Sequence, residues 1–303
     1  MKRFDVAAIG SGNIDVILGV PALPSRGGKI VGKRLAEMVG GTVANSACAM
    51  GRLGLRVASV SCVGNDYNGQ AIYNDFQKFN VDCEFVCEIP GLMANLAVIF
   101  VDESGEKSLI YAPGGSREWD DLKAQHAIEQ SQYLYTMPHD IEKFTKLAEY
   151  AHSVGTKVVV DIEPHIASTP ERLNAILTLT DIAIFNYDGF VTGHGIEPDF
   201  SSLTQVQEHY QLEAVVVTLD EKGVIAVKGE ERARRESYKI SVIDTTGAGD
   251  VFNGAFVYSL IHNYSLADAL EFSSATAAIN ITALGARGNL ATAEEVAYFM
   301  RNN

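Results

Sequence analysis

Short, almost uninterrupted apolar runs alternate with amphipathic stretches along most of this chain. Val6–Ile9, Val57–Val63, Tyr133–Tyr135, Val158–Val160, Ile182–Phe185 and Val215–Val217 lack the polar-every-second-residue pattern of a half-exposed strand. Strands buried on both faces do not need that alternation, and a parallel sheet packed between helices buries both faces. Between the runs, Asn68–Phe79, Ile141–Val154 and Glu171–Leu179 carry apolar residues at helical spacing. The pattern predicts an α/β fold: a doubly wound, mostly parallel sheet flanked by helices. Ala248–Ile261 and Leu266–Ala283, rich in Ala, Ser and Phe, read as two packed helices near the end.

Two segments interrupt the rhythm. Residues 14–40 hold short extended pieces with Pro21, Pro24, Gly27 and Gly28. Residues 92–115 read as a hairpin, Leu96–Val101 and Ser108–Tyr111, joined by a polar turn at Glu103–Glu106. Together they predict a small β lid over a single domain spanning 1–303, for no repeat or long linker divides the chain.

Composition narrows the partners. A net charge of −14 repels DNA, RNA and anionic lipid, so neither nucleic acid nor membrane is expected. No apolar run nears the roughly 20 residues that span a bilayer. The N-terminus runs straight into a strand with no signal-peptide core. Cys48, Cys62, Cys83 and Cys87 fit no zinc or CxxC spacing, and Cys83 and Cys87 read as neighbours on one face of a strand. Free thiols and a cytoplasmic location are expected.

The sharpest local signal is Asp244-Thr245-Thr246-Gly247-Ala248-Gly249-Asp250-Val251-Phe252-Asn253-Gly254. It follows a strand-like stretch, Tyr238–Val242, and opens a helix. Gly247, Ala248 and Gly249 have almost no side chain, so amides at a helix start can approach an anion, and the helix dipole favours negative charge there. Asp250 falls in the first turn beside that site, where a carboxylate can take the proton of an attacking hydroxyl. A second signal is Gly40-Gly41-Thr42-Val43-Ala44-Asn45, followed by Ala47, Gly51, Gly54 and Gly64-Asn65-Asp66. Its paired glycines allow close approach to a ligand, and Asn45 can both donate to and accept from a hydroxyl.

In order and separation, the stretches Gly40–Asp66 and Asp244–Val257 resemble the two signatures of the PfkB family of carbohydrate kinases, with its ribokinase-like fold. The resemblance implies ATP-dependent phosphorylation of a hydroxymethyl group on a small sugar or nucleoside. Asp250 matches the catalytic base, and Gly247, Ala248 and Gly249 match the anion hole. Asp15, Gly41 and Asn45 match substrate contacts. Thr218 and Gly223 match the nucleotide stretch Thr-x-Gly-x-x-Gly, with Asp220 in place of the first Gly. Asn186 matches the Asn of Asn-x-x-Glu, a motif that organises Mg²⁺ and phosphate. Gly189 stands at the Glu position, and Asp188 lies one residue early. Asp244 and Thr246 match a monovalent cation site, such as one for K⁺. A homodimer through the lid edges is also implied.

Two other function classes remain open at this stage. Gly10-Ser11-Gly12 after a strand begins a dinucleotide fingerprint, as an NAD-dependent oxidoreductase would have, but Asp15 occupies the third glycine position. The departures at Gly189 and Asp220 suit a catalytically silent sugar or nucleotide sensor, whereas the intact Asp250 does not. The loops Thr136–Asp140 and Asp161–His165 contain no Arg or Lys, so a neutral substrate is expected rather than a sugar phosphate. Lys29, Lys33, Arg34 and Lys107 in the lid are the cations that could reverse this. His139 and His165 follow strands and read as polar loop residues.

Overall fold

The structure, a computed structural model, describes residues 2–103, 107–115 and 118–303, with Lys107 described through its backbone alone. Its centre is a nine-stranded sheet. From one edge the strands run Glu231–Arg235, Val224–Lys228, Ala214–Thr218, Ile182–Asn186, Lys157–Ile162, Ser131–Thr136, Phe4–Ile9, Val57–Val60 and Val81–Asp82. Val224–Lys228 pairs antiparallel with both of its neighbours, Glu231–Arg235 and Ala214–Thr218, and all other neighbours are parallel. Val158–Val160 and Ala214–Val217 are wholly buried, as strands covered by helices on both faces must be. Phe76, Phe144, Phe185, Phe190 and Phe256 fill the layers between sheet and helices. Each contributes about 1.5–3 kcal/mol of burial.

The first strand, Phe4–Ile9, lies between Ser131–Thr136 and Val57–Val60. The chain therefore leaves it in one direction and later returns on the other side. Such a reversal opens a crevice at the carboxyl ends of the strands, where open α/β sheets bind ligands.

The two interrupting segments meet in a separate four-stranded sheet. Asn13–Gly19 pairs antiparallel with Lys33–Gly40 and parallel with Asn95–Val101, which pairs antiparallel with Lys107–Ala112. Leu35, Leu109, Ile110 and Tyr111 on the two outer strands are exposed. Of the turn expected at Glu103–Glu106, residues 104–106 lie outside the described residues.

Three local expectations change. Tyr238–Val242 is not a strand; the sheet edge is Glu231–Arg235, whose charged residues discourage pairing with another chain. Val57–Val63 divides into Val57–Val60 and Cys62–Gly64, and the second piece pairs with Cys87–Ile89 in a two-stranded sheet. Cys83 falls in a turn, closed by the Val86 amide donating to its carbonyl, so it shares no strand with Cys87.

Candidate functional site

The helix Ala248–Ile261 begins at Gly247, whose φ of 74° is left-handed. A Cβ there would also come within 2.6 Å of Ala286 Cβ, so only glycine fits. The Ala248 amide bonds back to the Thr245 carbonyl, and no side chain caps the helix start. A Cβ at Gly249 would meet nothing within 4 Å, so the first turn opens onto free space. The helix dipole and this open approach are features that favour an anion at a helix start.

Asp250 lies in that turn. Desolvation pushes its carboxyl up to about 7, a direction reinforced by the nearby charges of Glu163 and Asp15 and opposed by the Asn45 hydrogen bond and Arg287. Its Oδ2 accepts from Asn45 Nδ2 at 2.6 Å. Its backbone carbonyl accepts from Ser46 Oγ at 2.9 Å, and Ser46 Oγ also lies 2.9 Å from the buried Tyr135 hydroxyl. Asn253, one turn further along, donates to Tyr135 at 3.2 Å. A carboxylate whose pKa lies near neutrality can accept a proton from a hydroxyl and return it to water.

Asn45 belongs to the helix Thr42–Leu53, which starts at Gly41 with φ 106°. A Cβ on Gly41 would come within 2.7 Å of the Ser11 carbonyl, so glycine lets this helix start lie against the Gly10–Gly12 turn. Asp15, on the small sheet, accepts from Asn13 Nδ2 at 2.5 Å. Burial raises its carboxyl pKa, with Asn13 and Arg287 opposing. Gly40, the register partner of Asn13, is so close that a Cβ there would collide with the Asp15 carboxylate. Asp15, Gly41, Asn45 and Asp250 thus converge at the crevice.

The other matched positions line the neighbouring strand ends. Asn186 and Thr218 are register partners on adjacent strands. The Asn186 side chain accepts from the Gly189 amide at 2.7 Å and so caps the helix Tyr187–His194. A Cβ on Gly189 would collide with the Ile162 carbonyl and lie 3.1 Å from Glu163 Cα. Glycine there lets the helix start press against the next strand end, which brings in Glu163 instead of a side chain at 189. Asp220 keeps a left-handed φ of 51°, a conformation Asp tolerates better than most residues, so the departure from Gly preserves the turn. Gly223, φ 92°, lies so near the Arg235 carbonyl that no Cβ fits. The Asp244 carboxylate is engaged by its own loop and by the loop of Gly285. It accepts from the Thr246 amide at 3.0 Å, from Thr246 Oγ1 at 2.7 Å and from the Gly285 amide at 2.9 Å.

Sequence reasoning missed several residues. Arg287, Asp75, Tyr135 and Glu163 all reach the Asp250 surroundings, and the sole signal for Arg287 was its position between Gly285 and Gly288. His139 and His165 stack with centroids 5.1 Å apart and nitrogens 3.3 Å apart. Burial, with the adjacent His165 and Arg172, lowers His139 to about 4. Arg172 approaches the same loop, but its donors go to the carbonyls of Ile166, Pro138 and His139.

This fold and this crevice define a class, the phosphotransferases built on a ribokinase-type sheet. Residues 3–293 match the profile of the pfkB family carbohydrate kinases. The chain is 30% identical over 309 residues to the ribokinase of Haemophilus influenzae, covering 99% of both chains. Its fold matches an Arabidopsis thaliana ribokinase solved with ribose and ATP, TM-score 0.85 at 21% identity, covering 98% of this chain and 99% of that one. It also matches a Methanocaldococcus jannaschii nucleoside kinase, TM-score 0.84 at 22% identity, covering 100% and 99%. The chain belongs to the pfkB family of carbohydrate kinases, and it is therefore a transferase.

Proposed function

We propose that this kinase transfers the γ-phosphoryl group of ATP to a hydroxymethyl group of a small neutral sugar, a free pentose first among them. The observation that carries the reading is the Asp250 carboxylate, tuned to about 7, in the first turn of an open, uncapped helix start. Asp250 takes the proton of the substrate hydroxyl as its oxygen bonds to the γ-phosphorus. The bond from that phosphorus to the β–γ bridging oxygen breaks, and ADP leaves. The amides of Gly247, Ala248 and Gly249 receive the charge on the transferring group. Asp15, Gly41 and Asn45 hold the sugar hydroxyls, while Asn186, Thr218 and Gly223 border the nucleotide.

Among the described residues no group of three or more His, Cys, Asp or Glu is placed to hold a metal alone. Mg²⁺ carried on the ATP phosphates would meet this chain through Glu163, beside Gly189, and Asp188, in the first turn of the helix that Asn186 caps. When bound, Mg²⁺ neutralises phosphate charge. Asp244 and Thr246 would serve K⁺ only by the loop they shape. The small sheet acts as a lid, and its outer strands, exposing Leu109, Ile110 and Tyr111, form the contact of a homodimer.

Charge favours a neutral substrate over a sugar phosphate. Arg172 and Arg287 have their donors engaged on carbonyls and side chains. Arg34 pairs with Glu37, and the Lys107 side chain is outside the described residues. The strand-end loops Thr136–Asp140 and Asp161–His165 thus offer a second phosphate no Arg or Lys of their own, and Lys29 and Lys33, exposed in the lid, are the cations that could still meet one. ADP release measured over ribose, deoxyribose, fructose and nucleosides, each beside its phosphate ester, tests this. A preference of tenfold or more in kcat/KM for the unphosphorylated partner is expected, about 1.4 kcal/mol of transition-state binding. The opposite preference overturns it.

A further inference from the structure

We infer that Arg287 and Asp75 are positioning residues that set the Asn45 amide so that its NH₂, not its carbonyl, faces the Asp250 carboxylate. An asparagine side chain can present either end to a neighbour. Here the choice is forced from behind. Arg287 Nε donates to Asn45 Oδ1 at 2.8 Å, which leaves Nδ2 to donate to Asp250 Oδ2 at 2.6 Å. A flipped amide would set NH₂ against a guanidinium and a carbonyl against a carboxylate.

The guanidinium is itself held on three sides. Its other two nitrogens donate to the Asp75 carboxylate and, at 3.0 Å, to the Gly40 carbonyl. Arg287 and Asp75 are 5% and 19% exposed as side chains, so the pair is shielded from solvent. Removing one partner of a shielded pair strands the other charge. The anchor joins four separate pieces of the chain. Asp75 comes from the helix Tyr67–Lys78, Asn45 from Thr42–Leu53, Gly40 from the end of a lid strand, and Arg287 from the loop that also binds Asp244 through Gly285. The consequence at Asp250 is twofold. Its rotamer is fixed facing the crevice, and a donated hydrogen bond plus a nearby cation hold its affinity for protons below what burial alone would impose. The charged and titratable groups facing Asp250 are Glu163, Asp161, Asp15, Tyr135 and Arg287, and Arg287 is the cation among them.

This inference rests on Asp250 as the base and has its own test, in the full-length kinase with its preferred sugar. Arg287→Met and Asp75→Asn are each combined with Asn45→Ala in double-mutant cycles. Expected for Arg287→Met are a kcat roughly 10- to 100-fold lower, an unchanged KM for ATP, and an acid limb of the kcat/KM profile moved about one pH unit upward. In the Asn45→Ala background the same change should add less than about threefold, because both act through one amide. Losses that multiply in full, or an acid limb that keeps its wild-type position, overturn the inference. Should Arg287→Met fail to fold, the Asp75→Asn cycle and its pH profile decide by the same two criteria. Loss of the Asp250 role would appear separately, as near-normal turnover in Asp250→Asn.

Discussion

At the scale of single residues, Asp250 is held in a state that costs stability. A carboxyl whose folded pKa is raised contributes stability present below its unfolded pKa and lost as pH rises through the folded value. For Asp250 the window runs from about 4 to about 7. Asp250→Asn removes the titration, so its melting temperature relative to wild type should climb across that window and level off above pH 7. A gap that does not change with pH would contradict the assigned titration. Which residues bear on this site was legible only in part. The glycine-flanked Asp250 and the Asn45 stretch announce themselves through spacing. Arg287 and Asp75 do not, because their meaning lies in a contact between positions more than two hundred apart. Gly189 and Asp220 looked like defects in sequence. In three dimensions Gly189 lets a helix start press against a strand end, and Asp220 keeps the left-handed turn.

At the scale of elements, the site depends on two helices lying close together. Thr42–Leu53 presents Asn45 and Ser46, and Ala248–Ile261 presents Asp250, each bonded to the other. Gly254 permits the approach: a Cβ there would lie 2.9 Å from the Ser46 carbonyl and 3.0 Å from Ala49 Cβ. Gly254→Val should push the helices apart, costing roughly 1–3 kcal/mol by overpacking and stretching the Asn45–Asp250 contact. Denaturant midpoints and kcat should fall together, whereas a variant with wild-type stability and activity would show that the helices have slack. Strands buried on both faces were readable from their apolar runs. The antiparallel edge was not, because Glu231–Arg235 carries the charges of an edge strand and resembles a loop, while Tyr238–Val242 has strand-like residues without a pairing partner.

At the scale of the whole molecule, the small sheet carries Asp15 and leads through Gly40 into the helix of Asn45, while Asp250 lies on the helix Ala248–Ile261, so the proposed site draws on both parts. Closure of the small sheet would exclude water, the competing phosphoryl acceptor. Hydrogen exchange with ribose and a non-hydrolysable ATP analogue should slow in Asn13–Gly19 and Asn95–Val101. At higher protein concentration without ligand, dimerisation should slow Lys33–Gly40 and Lys107–Ala112. Unchanged exchange in either arm contradicts closure or dimerisation respectively. The two strand segments were legible as interruptions of the βα rhythm, but their meeting in one sheet pairs residues some eighty positions apart and is not written in either alone. Phosphoryl transfer with Asp250 as base is tested most directly by the turnover of purified Asp250→Asn, freed of host kinases. A kcat about 10²- to 10⁴-fold below wild type with the fold retained is expected; turnover within a few-fold of wild type would contradict that role.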